Sequence, residues 1–277
     1  MASGPTPREL AAAAEAAADA GAAVLERYFR SGRLEVSVKG KNDFVTQADR
    51  ESEAVLVGEL LRRFPDHRIL AEEGTLHAGA TADYEWVIDP LDGPTNFLQG
   101  LPVWAVSVAC RRGAELLAGV VLDPEGGNRF VASRGGGAFW NGRPMQVSSR
   151  PALDGAFLAT GYPFRAQAAL DVYLDLFRSV FRRARAIRRC GAAALDLAYT
   201  AAGVYDGFFE FRLSPWDIAA GALLIQEAGG VLSDLDGGDG YLASGNVLAG
   251  APAVHAGLVD AARESASEAA VDRLVAR

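Results

Sequence analysis

The chain changes rhythm at Pro151, and that change constrains its fold more than any other feature. Before it, four short apolar runs follow closely at residues 103–110, 115–122, 129–133 and 137–140, with Gly126-Gly127-Asn128 and Gly135-Gly136-Gly137 between them. Short runs separated by turn residues predict an antiparallel meander. After Pro151, strands at 156–160, 185–189 and 207–211 alternate with helices at 167–181, 192–202 and 215–228. Last strands at 231–233 and 247–248 and a helix from Pro252 complete the pattern. Such alternation predicts an α/β half. The reading is therefore α+β over residues 1–150, then α/β over 151–277, in one compact unit.

The first half opens with a helix at 7–30, where Leu10, Ala13, Ala17, Val24, Leu25 and Tyr28 recur at helical spacing. An extended segment at 33–45, with a turn at Lys39–Asp43, leads to a second helix that stops near Phe64-Pro65. A short strand at 68–71 precedes a loop at 74–83. Trp86-Val87-Ile88 reads as a buried strand ending at Asp89.

Half of the residues are hydrophobic, enough for a large core. The charge is 27 − 35 = −8, the wrong sign for a general nucleic-acid or anionic-membrane binder. Cys110 and Cys190 make neither a disulfide framework nor a multi-cysteine metal site, and His67, His77 and His255 are scattered. No apolar stretch reaches the ~18 residues of a membrane span. Arg8, Glu9, Glu15 and Asp19 interrupt the alanine-rich start where a signal peptide would need an apolar core. The expectation is a reduced, cytoplasmic protein.

Chemistry is expected where acids follow apolar runs: Glu72-Glu73, Asp89 with Asp92, and Asp217. Each has a plain alternative. Acids suit turns, and Ser214-Pro215-Trp216-Asp217 is a capping box with Pro at the first helical position. Were these acids to converge, about four negative charges would need cations or raised pKa values. Oxygen ligands suit Mg²⁺ or Mn²⁺ over Zn²⁺. Gly93-Pro94-Thr95-Asn96-Phe97 reads as a helix start, whose N–H groups favour phosphate. Together these point to phosphate-ester hydrolysis by metal-activated water.

The segment Trp86-Val87-Ile88-Asp89-Pro90-Leu91-Asp92-Gly93-Pro94-Thr95-Asn96-Phe97 resembles the first signature of the inositol monophosphatase family. Trp216-Asp217-Ile218-Ala219-Ala220-Gly221, continuing to Glu227-Ala228-Gly229-Gly230, resembles the second. Phe44-Val45-Thr46 with Asp49, Glu72-Glu73 and Gly191–Leu197 fall in the family's order. The resemblance implies a five-layer αβαβα sandwich of the inositol monophosphatase and fructose-bisphosphatase type. It also implies Mg²⁺-dependent, lithium-sensitive phosphomonoesterase activity with two or three ions, Mn²⁺ as a substitute, and a homodimer. Carried over by position, Glu72, Asp89 and the Leu91 carbonyl would hold one ion, and Asp89, Asp92 and Asp217 a second. Gly93 and Thr95 would contact phosphate, Asp49 would help orient the attacking water with Glu72, and Glu210 would contact a substrate hydroxyl. The implied substrate is a small phosphorylated polyol such as inositol monophosphate. The rivals are histidinol phosphate, fructose 1,6-bisphosphate and 3′-phosphoadenosine 5′-phosphate, or a binding or regulatory role that kept the metal site. One position departs: the residue after Asp92-Gly93, usually Thr or Ser in the family, is Pro94, without hydroxyl or N–H. The arginines at 182, 183, 185, 188 and 189 read as a solvated face with salt bridges, or as a second anion site or a dimer or RNA contact.

Overall fold

Thr6 opens helix α1 (Pro7–Tyr28) through a capping box with Glu9. A hairpin of β1 (Val36–Gly40) and β2 (Asp43–Thr46) leads into α2 (Gln47–Arg63). The computed structural model describes residues 4–32, 36–40, 43–79, 83–164 and 166–275; of the turn expected at Lys39–Asp43, residues 41 and 42 lie outside these. Strands β3 (Arg68–Ala71), β4 (Leu76–His77) and β5 (Tyr84–Asp92) follow, then a short helix α3 (Pro94–Leu98). The meander comprises β6 (Ala105–Arg112), β7 (Glu115–Asp123), β8 (Asn128–Ser133), β9 (Gly137–Trp140) and β10 (Arg143–Pro144). All but the first hairpin join one eight-stranded sheet, ordered β10-β9-β8-β7-β6-β5-β3-β4, with β3 parallel to β5 and its other pairs antiparallel. Two details depart from expectation. The loop at 74–83 contains β4, paired to β3, and β5 continues through Asp89 to Asp92.

The second half runs β11 (Phe157–Thr160), a 3-10 turn at Gln167–Ala169, α4 (Leu170–Arg183), β12 (Ala186–Arg188), α5 (Ala193–Ala201), β13 (Gly207–Glu210) and α6 (Pro215–Glu227). It closes with β14 (Val231–Ser233), α7 (Tyr241–Ser244), β15 (Val247–Gly250) and α8 (Pro252–Val275). These strands form a five-stranded sheet, β12-β11-β13-β15-β14, parallel at its β12-β11-β13 side and antiparallel around β15.

Strand alternation feeds three cores. Trp86, Ile88, Val106 and Val108 pack beneath α1 and α2 with Leu10 and Leu56. Val87, Ala105 and Ala109 face the other way, toward Leu197 of α5 and Leu223 of α6, and that core continues to Phe208 and Val247 of the second sheet. Leu158, Phe209 and Leu248 then pack on Tyr173 and Leu176 of α4 and Val254 and Leu258 of α8. The result is a five-layer αβαβα sandwich. Helix α6 has sheets on both sides, and residues 217–225 are buried without a break.

Candidate metal centre

One extra residue in β5 builds the centre. Asp89 pairs with Ser107 of β6, and Asp92 pairs with Ala105, so three steps along β5 oppose two along β6. Side chains three apart on a regular strand face opposite ways; a bulge at Pro90-Leu91 restores them to one face. Leu91 turns into the core beneath α1 and α2, and Asp89 and Asp92 point toward the middle helical layer. The Asp89 Oδ1 accepts the Leu91 N–H at 2.9 Å, which fixes the bulge from within.

That layer brings the other groups. Asp92 accepts N–H bonds from Ala193 (3.2 Å) and Ala194 (2.8 Å), the first residues of α5. The start of α6 arrives through Ser107, whose Oγ donates to the Trp216 carbonyl at 3.2 Å, next to its partner Asp89. Asp217 is the third residue of α6 and accepts the Ser214 N–H at 2.7 Å, so it does cap its helix. It also faces the cluster: carboxylate oxygens of Asp89, Asp92 and Asp217 lie within 4.8 Å of one another. The capping and cluster readings of Asp217 are compatible, because an N3 side chain capping with one oxygen keeps a second.

Glu72 follows β3, its N–H donating to the Ile88 carbonyl at 3.2 Å. Its carboxyl interacts with Asp89 by charge and by a side-chain hydrogen bond. Glu53 of α2 holds this turn, accepting the N–H of Glu73 (2.8 Å) and both the N–H (3.1 Å) and the hydroxyl of Thr75. Asp49 is buried at the start of α2, where it accepts the Thr46 N–H at 3.0 Å and the Thr46 hydroxyl. Burial, with Glu72, Asp92 and Asp217 nearby, pushes the Asp89 carboxyl well above the usual carboxylate range. Asp92 is pushed up to about 7 by burial and by Asp217, while its α5 amides pull the other way. The donors are carboxylate oxygens, matching a hard divalent cation.

A cavity of about 490 Å³ opens beside this cluster, lined by Asp92, Gly93, Pro94, Thr95, Glu210 and Asp217 among others. Gly93 takes φ 85°, which aims the chain into α3 with Pro94 at its first position. Asn96 ties that turn to the loop before α5, donating to the Val103 carbonyl (2.8 Å) and the Cys190 carbonyl (2.9 Å). Glu210 ends β13 against Gly161, where any Cβ would overlap its carboxyl. Burial, with Asp196 and Asp217 close, raises its pKa well above the ordinary value.

The sequence profile of the inositol monophosphatase family matches residues 6–267. The chain belongs to that family. Similar proteins include the Nus factor SuhB of Pseudomonas aeruginosa, 50% identical over 86% of this chain and 89% of that one. The solved structure of extragenic suppressor protein suhB from Bartonella henselae superposes with a TM-score of 0.85 at 41% identity, over 90% of this chain and 95% of that one. The inositol monophosphatase from Anabaena gives 0.83 at 34% identity, covering 93% and 96%.

Both segments that resemble inositol monophosphatase signatures border this cavity, and Thr95 and Glu210 line it with them. Two buried acids carried no signal of their own in the sequence. Glu53 is one polar residue on a helix, and its partners lie at least 20 residues away. Asp196 sits inside the Gly191–Leu197 stretch and lines the cavity; it is 2% exposed, and its Oδ1 has no hydrogen-bond partner among the described residues. Burial and the nearby Asp92 raise its pKa well above the ordinary range. Among the described residues no helix is long and apolar enough to cross a membrane.

Proposed function

We propose that this protein hydrolyses a small phosphate monoester in a Mg²⁺-dependent reaction, with inositol monophosphate as its substrate. The observation that carries this is the convergence of Asp89, Asp92 and Asp217 beside an open cavity. Crowded, buried carboxylates raise one another's proton affinity, and divalent charge relieves that crowding. In this reading Glu72, Asp89 and the Leu91 carbonyl hold one ion, and Asp89, Asp92 and Asp217 a second. Mg²⁺ is the expected metal, with Mn²⁺ as substitute and room for a third ion. When bound, such ions supply charge for the phosphoryl oxygens and acidify water.

The chain's own residues do the rest. The α5 amides fix Asp92 and favour its ionised form. Glu72 and Asp49 accept hydrogen bonds from the attacking water. Gly93 and Thr95 offer donors to the phosphate, and Glu210 accepts a hydroxyl of the polyol. The reading includes a cytoplasmic homodimer.

Pro94 supports a second reading, a binding or regulatory protein that keeps the metal site. It stands at the cavity wall without a hydroxyl or N–H to offer, and the P. aeruginosa relative carries the name Nus factor. Phosphate release with Mg²⁺, screened over inositol phosphate, histidinol phosphate, fructose 1,6-bisphosphate and 3′-phosphoadenosine 5′-phosphate, separates the two. Release from at least one substrate is expected, abolished by Asp89→Asn, and Mg²⁺ should raise the Tm of wild type but not of this variant. Near-normal turnover in Asp89→Asn, or a wild-type Tm indifferent to Mg²⁺, would overturn the site assignment.

A further inference from the structure

The arginines between 182 and 189 do not form one patch. Arg183 pairs with Asp154 at 2.9 Å, and the Arg188 guanidinium lies over the Phe157 ring, 5.0 Å from its centre. Arg189 turns instead into the wall of the cavity beside the carboxylate cluster. Its Nη1 fills the space that a Cβ on Gly191 would need, and Gly191 has φ 89°. Its guanidinium lies 5.5 Å from the ring centre of Tyr162 and 5.4 Å from that of Phe164. Both rings also line the cavity, and they are 42% and 48% exposed.

The two rings stand at 87° to each other, so the planar guanidinium can lie flat on at most one of them. Contact with an aromatic ring uses none of its N–H donors, and a guanidinium edge matches an oxyanion in a two-point contact. Among the described residues Arg189 forms no ion pair within 4.0 Å; the acids that feel its charge are Glu210 and Asp196, on the same wall. Arg212 adds a second positive charge to the lining and is held in a left-handed conformation, φ 61°. A neutral polyol needs neither arginine, whereas a second oxyanion needs a donor of this kind.

We infer that Arg189, held beside the rings of Tyr162 and Phe164, reads a second anionic group on the substrate, so that the preferred compounds are small phosphate esters whose alcohol part carries a carboxylate or another phosphate. The inference rests on the phosphatase reading of the site but not on inositol monophosphate: that ester has a neutral alcohol part and would be a poorer substrate than one with a second anionic group. Three compounds isolate the feature: glycerol 2-phosphate lacks the second anion, 2-phosphoglycerate adds a carboxylate, and fructose 1,6-bisphosphate adds a phosphate.

The experiment measures kcat/KM with Mg²⁺ for all three, in wild type, Arg189→Gln and the charge-matched surface control Arg182→Gln, with calorimetric binding of each compound in parallel. Wild type is expected to favour at least one compound with a second anionic group over glycerol 2-phosphate by about tenfold or more. Arg189→Gln should remove most of that preference while changing glycerol 2-phosphate by less than about twofold, and Arg182→Gln should keep it. Which of the two is favoured identifies the second oxyanion. Equal losses on all three compounds would make Arg189 a counter-charge for Glu210 and overturn the inference, as would a wild type without preference. Should none of the three be hydrolysed while inositol monophosphate is, the inference fails and the phosphatase reading stands; should no phosphate ester be hydrolysed, the phosphatase reading fails separately, and calorimetry decides the inference. Binding of 2-phosphoglycerate or fructose 1,6-bisphosphate that is tighter than that of glycerol 2-phosphate and lost in Arg189→Gln supports the inference; equal or absent binding overturns it.

Discussion

Replacing Glu53 by glutamine should loosen the turn that carries Glu72. Glu53 is 3% exposed and uses both carboxylate oxygens: Oε2 accepts the Glu73 N–H, and Oε1 accepts the Thr75 N–H and hydroxyl. Glutamine has nearly the same shape and one acceptor oxygen. With that oxygen at the Oε1 position, two bonds survive in neutral form, and the amide NH₂ faces the Glu73 N–H. The Glu73 N–H and the new NH₂ then both lack an acceptor, at about 1–3 kcal/mol for each group that is buried, and two charge-assisted bonds weaken. A total near 3 kcal/mol follows, which for a chain of this size lowers Tm by about 6–12 °C. The assay is thermal unfolding of wild type and Glu53→Gln with and without Mg²⁺. The Tm rise expected from Mg²⁺ should also shrink, because Glu72 begins the same turn. Glu59→Gln, whose partners Arg62 and Arg63 lie at the surface, should move Tm little. A Glu53→Gln protein within about 1 °C of wild type would refute the view that this carboxylate holds the turn.

Two further outcomes are expected. Pro94→Thr should raise kcat about tenfold or more at saturating Mg²⁺, since one added transition-state donor is typically worth on the order of 10²–10³ in rate; an equal or lower kcat would mean that the site is built around proline. His67 is buried between the rings of Phe64 (4.6 Å) and Tyr84 (4.7 Å), and burial holds its pKa below 6.5. Unfolded chains therefore bind the extra proton, and stability falls as pH drops from about 6.5 to the lowered folded value. In His67→Phe, Tm should decline less between pH 7.5 and 5, and identical declines would exclude this source.

Much of this architecture could be read from local patterns. The meander, the alternation after Pro151 and the cap at Ser214 depend on neighbours in sequence, and each lies where the residue pattern put it. The bulge at Pro90-Leu91 could not be read so, because it is a property of how β5 pairs with β6. The pattern ends the strand at Asp89, whereas β5 continues to Asp92 with one residue too many. Long-range partnerships were hidden for the same reason. The bonds of Glu53 to the 73–75 turn, of Asp92 to α5 and of Arg189 to two rings require the folded chain. What the pattern did expose was the acids at the ends of apolar runs, since a strand needs a reason to carry carboxylates into a core.

The span of the carboxylate cluster bears on kinetics. Asp92 is held by amides 101 and 102 residues further along the chain, and Asp89 meets Asp217 across 217 − 89 = 128 residues. A divalent cation gains its affinity only when several of these carboxylates are in place at once, which requires both sheets and the helices between them to have packed. A ligand bound there stabilises the finished chain far more than the transition state that precedes it. Its effect should fall on the rate of unfolding, leaving the rate of folding almost unchanged. The cluster would thus act as a latch: once it has closed on a cation, the lifetime of the folded protein against heat and proteases is set by how tightly that cation is held.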